Sequence, residues 1–444
     1  MNDPGPPRQD LDCIVIGGGI AGLACAQRLT AGGRSVTVLE AGDAPGGRAR
    51  TVWHRGRPVD RGFQVLFRSY PETRSLLKDI GLPRRDLRAI DGGAVFVGEA
   101  GETHRLGASK LGALRFGGMG GRDRALLMRL AVSVVGRPAD ALLEPAASGR
   151  STEDFLRAYG FSAEAIEHFF RPLFGVVTLD RSLGADEGYF RFLMSMLARG
   201  PAVIPSDGLG MIAEWTSAAV RQAGGAVELG ARVVALETGA DGRRVTGVRT
   251  EDGRAFSARE VVLAVEAPVA RELLGPLDAA AADRIPREAA SSVSAAFSLR
   301  RPLYRGRSIL LNAAPVVAGA PRVDLLCQTT NITRPGASDG PHILLATRVT
   351  TGGDDAGGLV EAVGELVRRW APRFDWAGLA EPIGVHEHPF AQFRPLVGVR
   401  EGLPGPRTAV DNLILAGDLT THPSIEGAVS SGVRAAGIVD ALTP

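Results

Sequence analysis

The sequence predicts an α/β protein in which a parallel sheet of the dinucleotide-binding type is interleaved with a second, α+β domain. Three observations predict it. Near the N-terminus a buried strand, a glycine turn and a helix follow one another without interruption. Near the other end, Asn412-Leu413-Ile414-Leu415-Ala416-Gly417-Asp418 reads as a further buried strand that ends in glycine and an acid. Between them, 444 residues are too many for one small core, and the stretch from about Pro71 to Pro205 loses the strand-and-glycine rhythm.

The first strand, Cys13-Ile14-Val15-Ile16, is short, rich in β-branched residues and uncharged, as a strand covered on both faces must be. Gly17-x-Gly19-x-x-Gly22 follows at once. Leu23, Ala24, Ala26 and Leu29 then recur at helical spacing until Gly32 and Gly33 stop the helix. Gly17 permits the turn, Gly19 lets the backbone approach a pyrophosphate, and Gly22 lets the helix lie close to the strand. Ile20 and Ala21 open the helix, whose free N–H groups face the phosphate charge. Val36-Thr37-Val38-Leu39 is the second strand. It ends at Glu40, followed by Ala41, at the distance from the turn where a ribose needs a hydrogen-bond acceptor. Gly46-Gly47-Arg48 adds a second glycine pair and a cation able to reach the same pyrophosphate, which a nicotinamide site does not need.

This stretch resembles the start of the flavoprotein superfamily that contains amine oxidases, protoporphyrinogen oxidase and the phytoene desaturases, and the resemblance covers nearly the whole chain. It implies a Rossmann-type domain that binds FAD noncovalently, assembled from residues 9–70, 206–275 and 385–444, with a substrate domain from 71–205 and 276–384. It implies that Val59-Asp60-Arg61-Gly62-Phe63-Gln64-Val65 runs beside the isoalloxazine ring, Gly62 allowing close approach and Phe63 and Gln64 lining the pocket. Taken alone, the same residues read equally well as a strand with one buried Phe. The resemblance sets Val233 beside the adenine, whereas the residues alone give a core valine. At the far end it lets Asp418, after Gly417, accept from the ribityl hydroxyls. The helix start at Ile425, Gly427 and Ala428 then faces the flavin N1–C2=O edge, where reduction puts negative charge. No cysteine lies between residues 417 and 432, so covalent attachment there is excluded.

The remaining elements follow in order. Ala94-Val95-Phe96-Val97 opens a hairpin around Gly101. Arg122 to Val135 is an amphipathic helix, either packed on the surface or turned to a membrane. Phe169 to Phe174 and Tyr189 to Leu197 concentrate the aromatic and Met residues. Phe190, Leu193, Met194 and Leu197 share one helical face, which either packs in the core or borders a greasy ligand. Gly208-Leu209-Gly210-Met211 imitates a second nucleotide turn, but Pro201 and Pro205 hem in the short run Ala202-Val203-Ile204, so the required strand is missing. Val227-Glu228-Leu229, Arg232 to Leu236, Val245 to Val248 and Glu260 to Ala264 read as strands, with a turn at Asp252-Gly253. Strands at Ser294 to Leu299 and Ile343 to Ala346, with a helix from Glu361 to Trp370, make the floor of the substrate domain.

His386 and His388 share a face of an extended segment. Lacking a third convergent ligand they make no metal site. His388 is the candidate general base, because the ordinary imidazole pKa lies near neutrality, and Gln64 is a second candidate for a role at the reacting centre.

Composition narrows the function. A net charge of +2 gives no polyanion-binding surface, and with Lys78 and Lys110 the only lysines, 49 of the 51 basic residues are arginine, a compositional bias and not a nucleic-acid patch. Cys13, Cys25 and Cys327 form no disulfide spacing and fit a reducing compartment. The polar, proline-rich tail before Leu11 lacks a secretory signal, and no run reaches the ~18 apolar residues of a membrane span. The expectation is a cytoplasmic protein with, at most, peripheral membrane contact. Ser424-Ile425-Glu426-Gly427-Ala428-Val429-Ser430-Ser431-Gly432 resembles the phytoene-desaturase side of the superfamily, because amine oxidases commonly frame this position with aromatic residues. Lys78 and Lys110 also fall in the first helical excursion, not in the second, where the resembled amine oxidases hold a lysine near N5. The expected activity is therefore hydride transfer from a small hydrophobic, isoprenoid- or carotenoid-like substrate to flavin N5, with oxygen, a quinone or a carrier protein as acceptor. A flavin amine oxidase, a flavin-dependent isomerase without net redox change and a prenyl-binding escort are the alternatives.

Overall fold

The structure is a computed structural model that describes residues 11–442 apart from 108–111, 113–115, 145–148, 316–321, 337–339 and 351–356. The tail before Leu11 and Lys110 lie outside the described residues.

A five-stranded sheet carries the nucleotide motif. Its strands run in the order Ala226–Glu228, Val36–Leu39, Leu11–Ile16, Ala258–Leu263 and Leu413–Leu415, and every pairing is parallel. Parallel sheets need cover on both faces, which explains the uncharged strands. On one face Val15, Val38, Val262 and Ile414 pack under the helices Ile20–Ala31 and Ile425–Leu442 through Cys25, Leu29, Ala435 and Val439. These two helices touch so closely that a Cβ on Gly432 would overlap the Ala21 carbonyl oxygen. On the other face Ile14, Leu39 and Leu263 meet Val233, Val245 and Val248 of a small antiparallel sheet.

The second domain is built on a seven-stranded sheet. Its order is Ala380–Phe393, Ala289–Leu299, His342–Thr350, Leu325–Gln328, Ser308–Asn312, Gly93–Val97 and Thr103–Leu106. All pairings are antiparallel except that of Ser308–Asn312 with Gly93–Val97. Period-two alternation sorts its side chains. Val293, Ala295, Phe297 and Leu299 go down onto the helix Leu359–Trp370, whose Leu359, Val363, Leu366 and Val367 form the matching stripe. The opposite face turns toward the nucleotide domain. Helices Gly121–Val135, Thr152–Tyr159 and Glu187–Arg199 close over it around an aromatic core in which Phe174 and Phe190 approach to 4.7 Å between ring centres.

Two expectations change. Residues 385–393 pair along Ala289–Leu299, so they belong to the seven-stranded sheet and not to the 385–444 segment of the nucleotide domain. The boundary near 275 moves later, because Ala282 and Ile285 pack in the same core as Ile14. Val132, on the amphipathic helix, is 70% exposed. The imitation fingerprint is occupied by protein. Asp60 Oδ1 accepts from the Leu209 N–H at 2.9 Å and Thr51 Oγ1 from the Gly210 N–H at 2.8 Å, so the start of the helix Gly210–Gln222 is already capped. Ala202–Pro205 is an antiparallel strand between Leu66–Phe67 and Leu87–Ala89.

Candidate active site

A cavity of about 1440 Å³ begins at the C-terminal ends of the parallel strands, where open α/β sheets bind ligands. Gly17, with φ +106°, makes the turn after the first strand, and a Cβ there would overlap the Ala264 carbonyl oxygen. A Cβ on Gly22 would overlap the Gly17 carbonyl oxygen, so this glycine serves helix-on-strand contact and lies outside the cavity lining. Gly19 differs from both. Its backbone is extended (φ −72°, ψ 175°), nothing lies within 4 Å of an added Cβ, and it faces the cavity with Ile20 and Ala21. The loop is held open by Glu40, whose carboxylate accepts from the Gly18 and Gly42 N–H groups, both at 2.7 Å. Lone pairs remain on Glu40 for a hydroxyl in the cavity, and Ala41 and Val233 line the same end.

The second glycine pair folds back on the first. Gly46 donates its N–H to the Gly18 carbonyl at 2.8 Å, and Gly46 and Gly47 both have positive φ. Arg48 then ties three segments together. It pairs with Asp418 at 2.9 Å, donates to the Ala391 carbonyl at 2.7 Å, and its own carbonyl accepts from Gln64 Nε2 at 2.9 Å. Gly62, Phe63, Gln64, Gly417, Asp418, Ile425 and Ala428 line this middle portion.

Two site residues behave differently from expectation. Gly427 does not line the cavity: a Cβ on it would overlap the His422 carbonyl oxygen, and its N–H is taken by Ser424 Oγ at 2.9 Å. His388 does line it, but Nε2 lies 3.1 Å from the Arg61 carbonyl. A carbonyl only accepts, so Nε2 carries the proton and Nδ1 is the nitrogen left to take one. Around the helix start, burial pushes the His422 imidazole down to about 3, leaving it neutral against Phe192 and Tyr189. Tyr189 donates to the Pro423 carbonyl at 2.5 Å.

Beyond Gly62 the cavity becomes apolar. Phe67, Phe169, Leu193, Met194 and Leu197 wall it, and Leu127, Met128 and Val135 carry it to the exposed Val132. The face shared by Phe190, Leu193, Met194 and Leu197 thus divides: Phe190 is core, and the other three border the cavity.

Sequence reasoning missed Arg61, Ser292, Ser294 and Thr347, which also line it. The strand read from Ser294 to Leu299 stopped short of Ser292. Only strand pairing brings the serines together on the cavity side, because Ser294 stands opposite Thr347 and Ser292 opposite His388.

The arrangement matches a glycine cradle for a dinucleotide joined to a greasy pocket, and residues 20–440 match the family model described as flavin containing amine oxidoreductase. The chain belongs to this family. It is 29% identical over 288 residues to the phytoene dehydrogenase of Streptomyces griseus, covering 59% of this chain and 55% of that protein. It is 54% identical over 59 residues to the hydroxyneurosporene desaturase of Rhodobacter capsulatus, 13% of this chain and 12% of that one. The chain thus spans about half the length of the first relative and about an eighth of the second. An oxidoreductase structure from Methanosarcina mazei superposes with a TM-score of 0.75 at 18% identity, over 96% of this chain and 99% of that one, and shows the shared fold. The family's flavin is FAD, and the open space at Gly19 beside the Gly46-Gly47 turn fits its pyrophosphate. Cys13, Cys25 and Cys327 are buried free thiols, none of them lining the cavity, so no cysteine is placed to tether the cofactor. Among the described residues no helix is long and apolar enough to cross a membrane.

Proposed function

We propose that this chain is an FAD-dependent oxidoreductase that takes hydride from a small hydrophobic, isoprenoid-like substrate. One observation carries the reading: a single cavity joins the glycine cradle to a wall of Phe169, Leu193, Met194 and Leu197. Bound FAD supplies the two-electron acceptor at N5. The chain's own part is to bind and orient. Gly19 and Gly47 face backbone N–H groups to the pyrophosphate, Gly17 and Gly46 shape the two turns with their own N–H groups spent on the Leu39 and Gly18 carbonyls, and Glu40 takes the adenosine ribose. Arg48 and Asp418, joined at 2.9 Å, steady the loop beside the ribityl chain. The first turn of Ile425–Leu442 offers its positive end to the flavin edge that gains charge. The apolar walls hold the reacting carbon in place and exclude water.

The exposed Val132, with Val135 beside the cavity, provides an apolar rim through which a lipophile enters, and it is where the chain would meet a lipid surface. An amine substrate is less well served. Lys78 is exposed on the helix Pro71–Asp79, away from the cavity, and no lysine is among the described residues lining it.

The test is the visible spectrum of the purified protein, before and after denaturation, followed by anaerobic addition of prenyl lipids and of amines. Flavin bands that leave on denaturation and are bleached by a prenyl lipid fit the proposal. Bleaching by amines alone would replace the substrate class, and a colourless protein that FAD cannot reconstitute would refute the enzyme reading.

A further inference from the structure

We infer that the substrate carries a neutral oxygen function, a hydroxyl or a carbonyl, that docks on the polar end of the seven-stranded sheet while its hydrocarbon body lies along the apolar end. This rests on the reading of the cavity as a site for a lipophile.

The sheet's cavity face changes character along its width. On the strands Ala289–Leu299, His342–Thr350 and Ala380–Phe393 it presents Ser292, Ser294, Thr347 and His388. On Leu325–Gln328, Ser308–Asn312 and Gly93–Val97 it presents Leu325, Ile309, Leu311 and Ala94. The polar end lies under Gly62, where an added Cβ would meet His388 Nε2 at 3.2 Å and Ser294 Oγ at 3.5 Å.

These side chains are buried and their hydroxyls unused. Ser292, Ser294 and Thr347 are only 7%, 2% and 4% exposed, and no hydroxyl of the three bonds to another described residue. Arg61 Nε is a buried donor in the same condition. Thr347 Oγ1 is fully buried without a partner, and buried polar groups are normally paired, so it and the two unpaired serine hydroxyls beside it on the cavity wall mark a surface completed by a ligand. His388 Nδ1 adds an acceptor, since Nε2–H is spent on the Arg61 carbonyl.

Charge selects the ligand's polar group. The carboxylates lining the cavity, Glu40, Glu266 and Asp418, all follow strands of the five-stranded sheet, and none comes from the seven-stranded one. Burial first, then the nearby Arg61 guanidinium, holds the His386 imidazole below its usual pKa. An ammonium would meet positive charge without a counter-ion there, whereas an oxygen finds donors.

The test uses FAD-loaded protein and three matched C20 probes, a prenyl alcohol, the corresponding hydrocarbon and the corresponding prenylamine, each displacing a fluorescent polyene in detergent micelles. The alcohol should bind about tenfold more tightly than the hydrocarbon, and the amine more weakly than the alcohol. The double variant Ser294→Ala, Thr347→Val should equalise alcohol and hydrocarbon while keeping its FAD content. Ser292→Ala, which removes a single hydroxyl at the cavity surface, should lose part of the preference if the double variant does not fold. Equal binding of alcohol and hydrocarbon by the native protein, tightest binding of the amine, or loss of FAD from the variants would each overturn the inference. If no probe displaces the polyene, the lipophile reading itself fails, and the inference with it.

Discussion

Replacing Gly19 by valine separates cofactor binding from folding more cleanly than any other change in the glycine turn. The residue already has extended backbone angles, which a β-branched residue adopts without strain, and no atom lies within 4 Å of the new Cβ. The apoprotein should therefore unfold within about 0.5 kcal/mol of the native chain. The side chain instead fills the space in front of the Ile20–Ala31 helix N-terminus. An anion at a helix N-terminus gains up to about 2 kcal/mol, and each charge-assisted hydrogen bond roughly 1.5–3 kcal/mol. Losing the dipole contact and one such bond costs on the order of 4 kcal/mol, roughly a thousandfold rise in the FAD Kd. Titrating the apoprotein with FAD, by quenching of flavin fluorescence, measures the rise, and urea unfolding of the same sample checks the fold. Native-like FAD affinity in Gly19→Val would refute the pyrophosphate assignment. A collapsed apoprotein would refute the claim that the space is empty. Gly22→Ala is the contrast, since its Cβ meets the Gly17 carbonyl oxygen and should cost about 1–3 kcal/mol of stability before any cofactor is added.

Burial pushes the Asp60 carboxyl up to about 6. A carboxyl raised in the folded state adds stability that is complete below its unfolded value near 4 and is lost as pH rises through 6, on the order of 3 kcal/mol in all. Asp60→Asn keeps an oxygen for the Leu209 N–H and should flatten that part of the stability profile between pH 4 and 7; urea midpoints showing an unchanged slope would sink the assignment. Glu426 accepts from the Glu72 and Thr73 N–H groups and the Thr73 hydroxyl at 2.7–2.9 Å, so Glu426→Ala strands three donors and should cost about 2–3 kcal/mol in chemical unfolding, with Glu426→Gln costing less. Asp418→Ala leaves the glycine cradle untouched and should raise the FAD Kd only about tenfold, a hierarchy that one set of flavin titrations decides.

The parts of this protein legible in sequence are those whose chemistry is local. The run from Cys13 to Glu40 needs only neighbouring residues to specify strand, turn, helix and acid, and each falls where its pattern indicates. The hairpin around Gly101 and the helix read from Glu361 to Trp370, which begins at Leu359, were legible for the same reason. What the sequence concealed depends on partners far along the chain. Ser294 and Thr347 meet only because two strands some fifty residues apart pair in one register. His388 looked like a free base until the Arg61 carbonyl was found against Nε2. Gly427 sits within the expected motif yet serves close packing against His422, a use that a glycine's identity cannot distinguish from cofactor approach.

The order of strands in the five-stranded sheet also sets a timetable. Leu11–Ile16 has one neighbour at Val36–Leu39, its other at Ala258–Leu263, and the sheet closes with Leu413–Leu415. Synthesis at about 5–20 residues per second separates Gly19 from Asp418 by roughly 20–80 s. Until Ala258–Leu263 emerges one edge of the first strand stays without its partner, and until Asp418 emerges the nucleotide cradle exists without the segments that wall its far side. FAD capture is thus among the last events in the life of the nascent chain. A shortage of riboflavin should register first as chains lost to aggregation or proteolysis, before it registers as finished protein lacking colour.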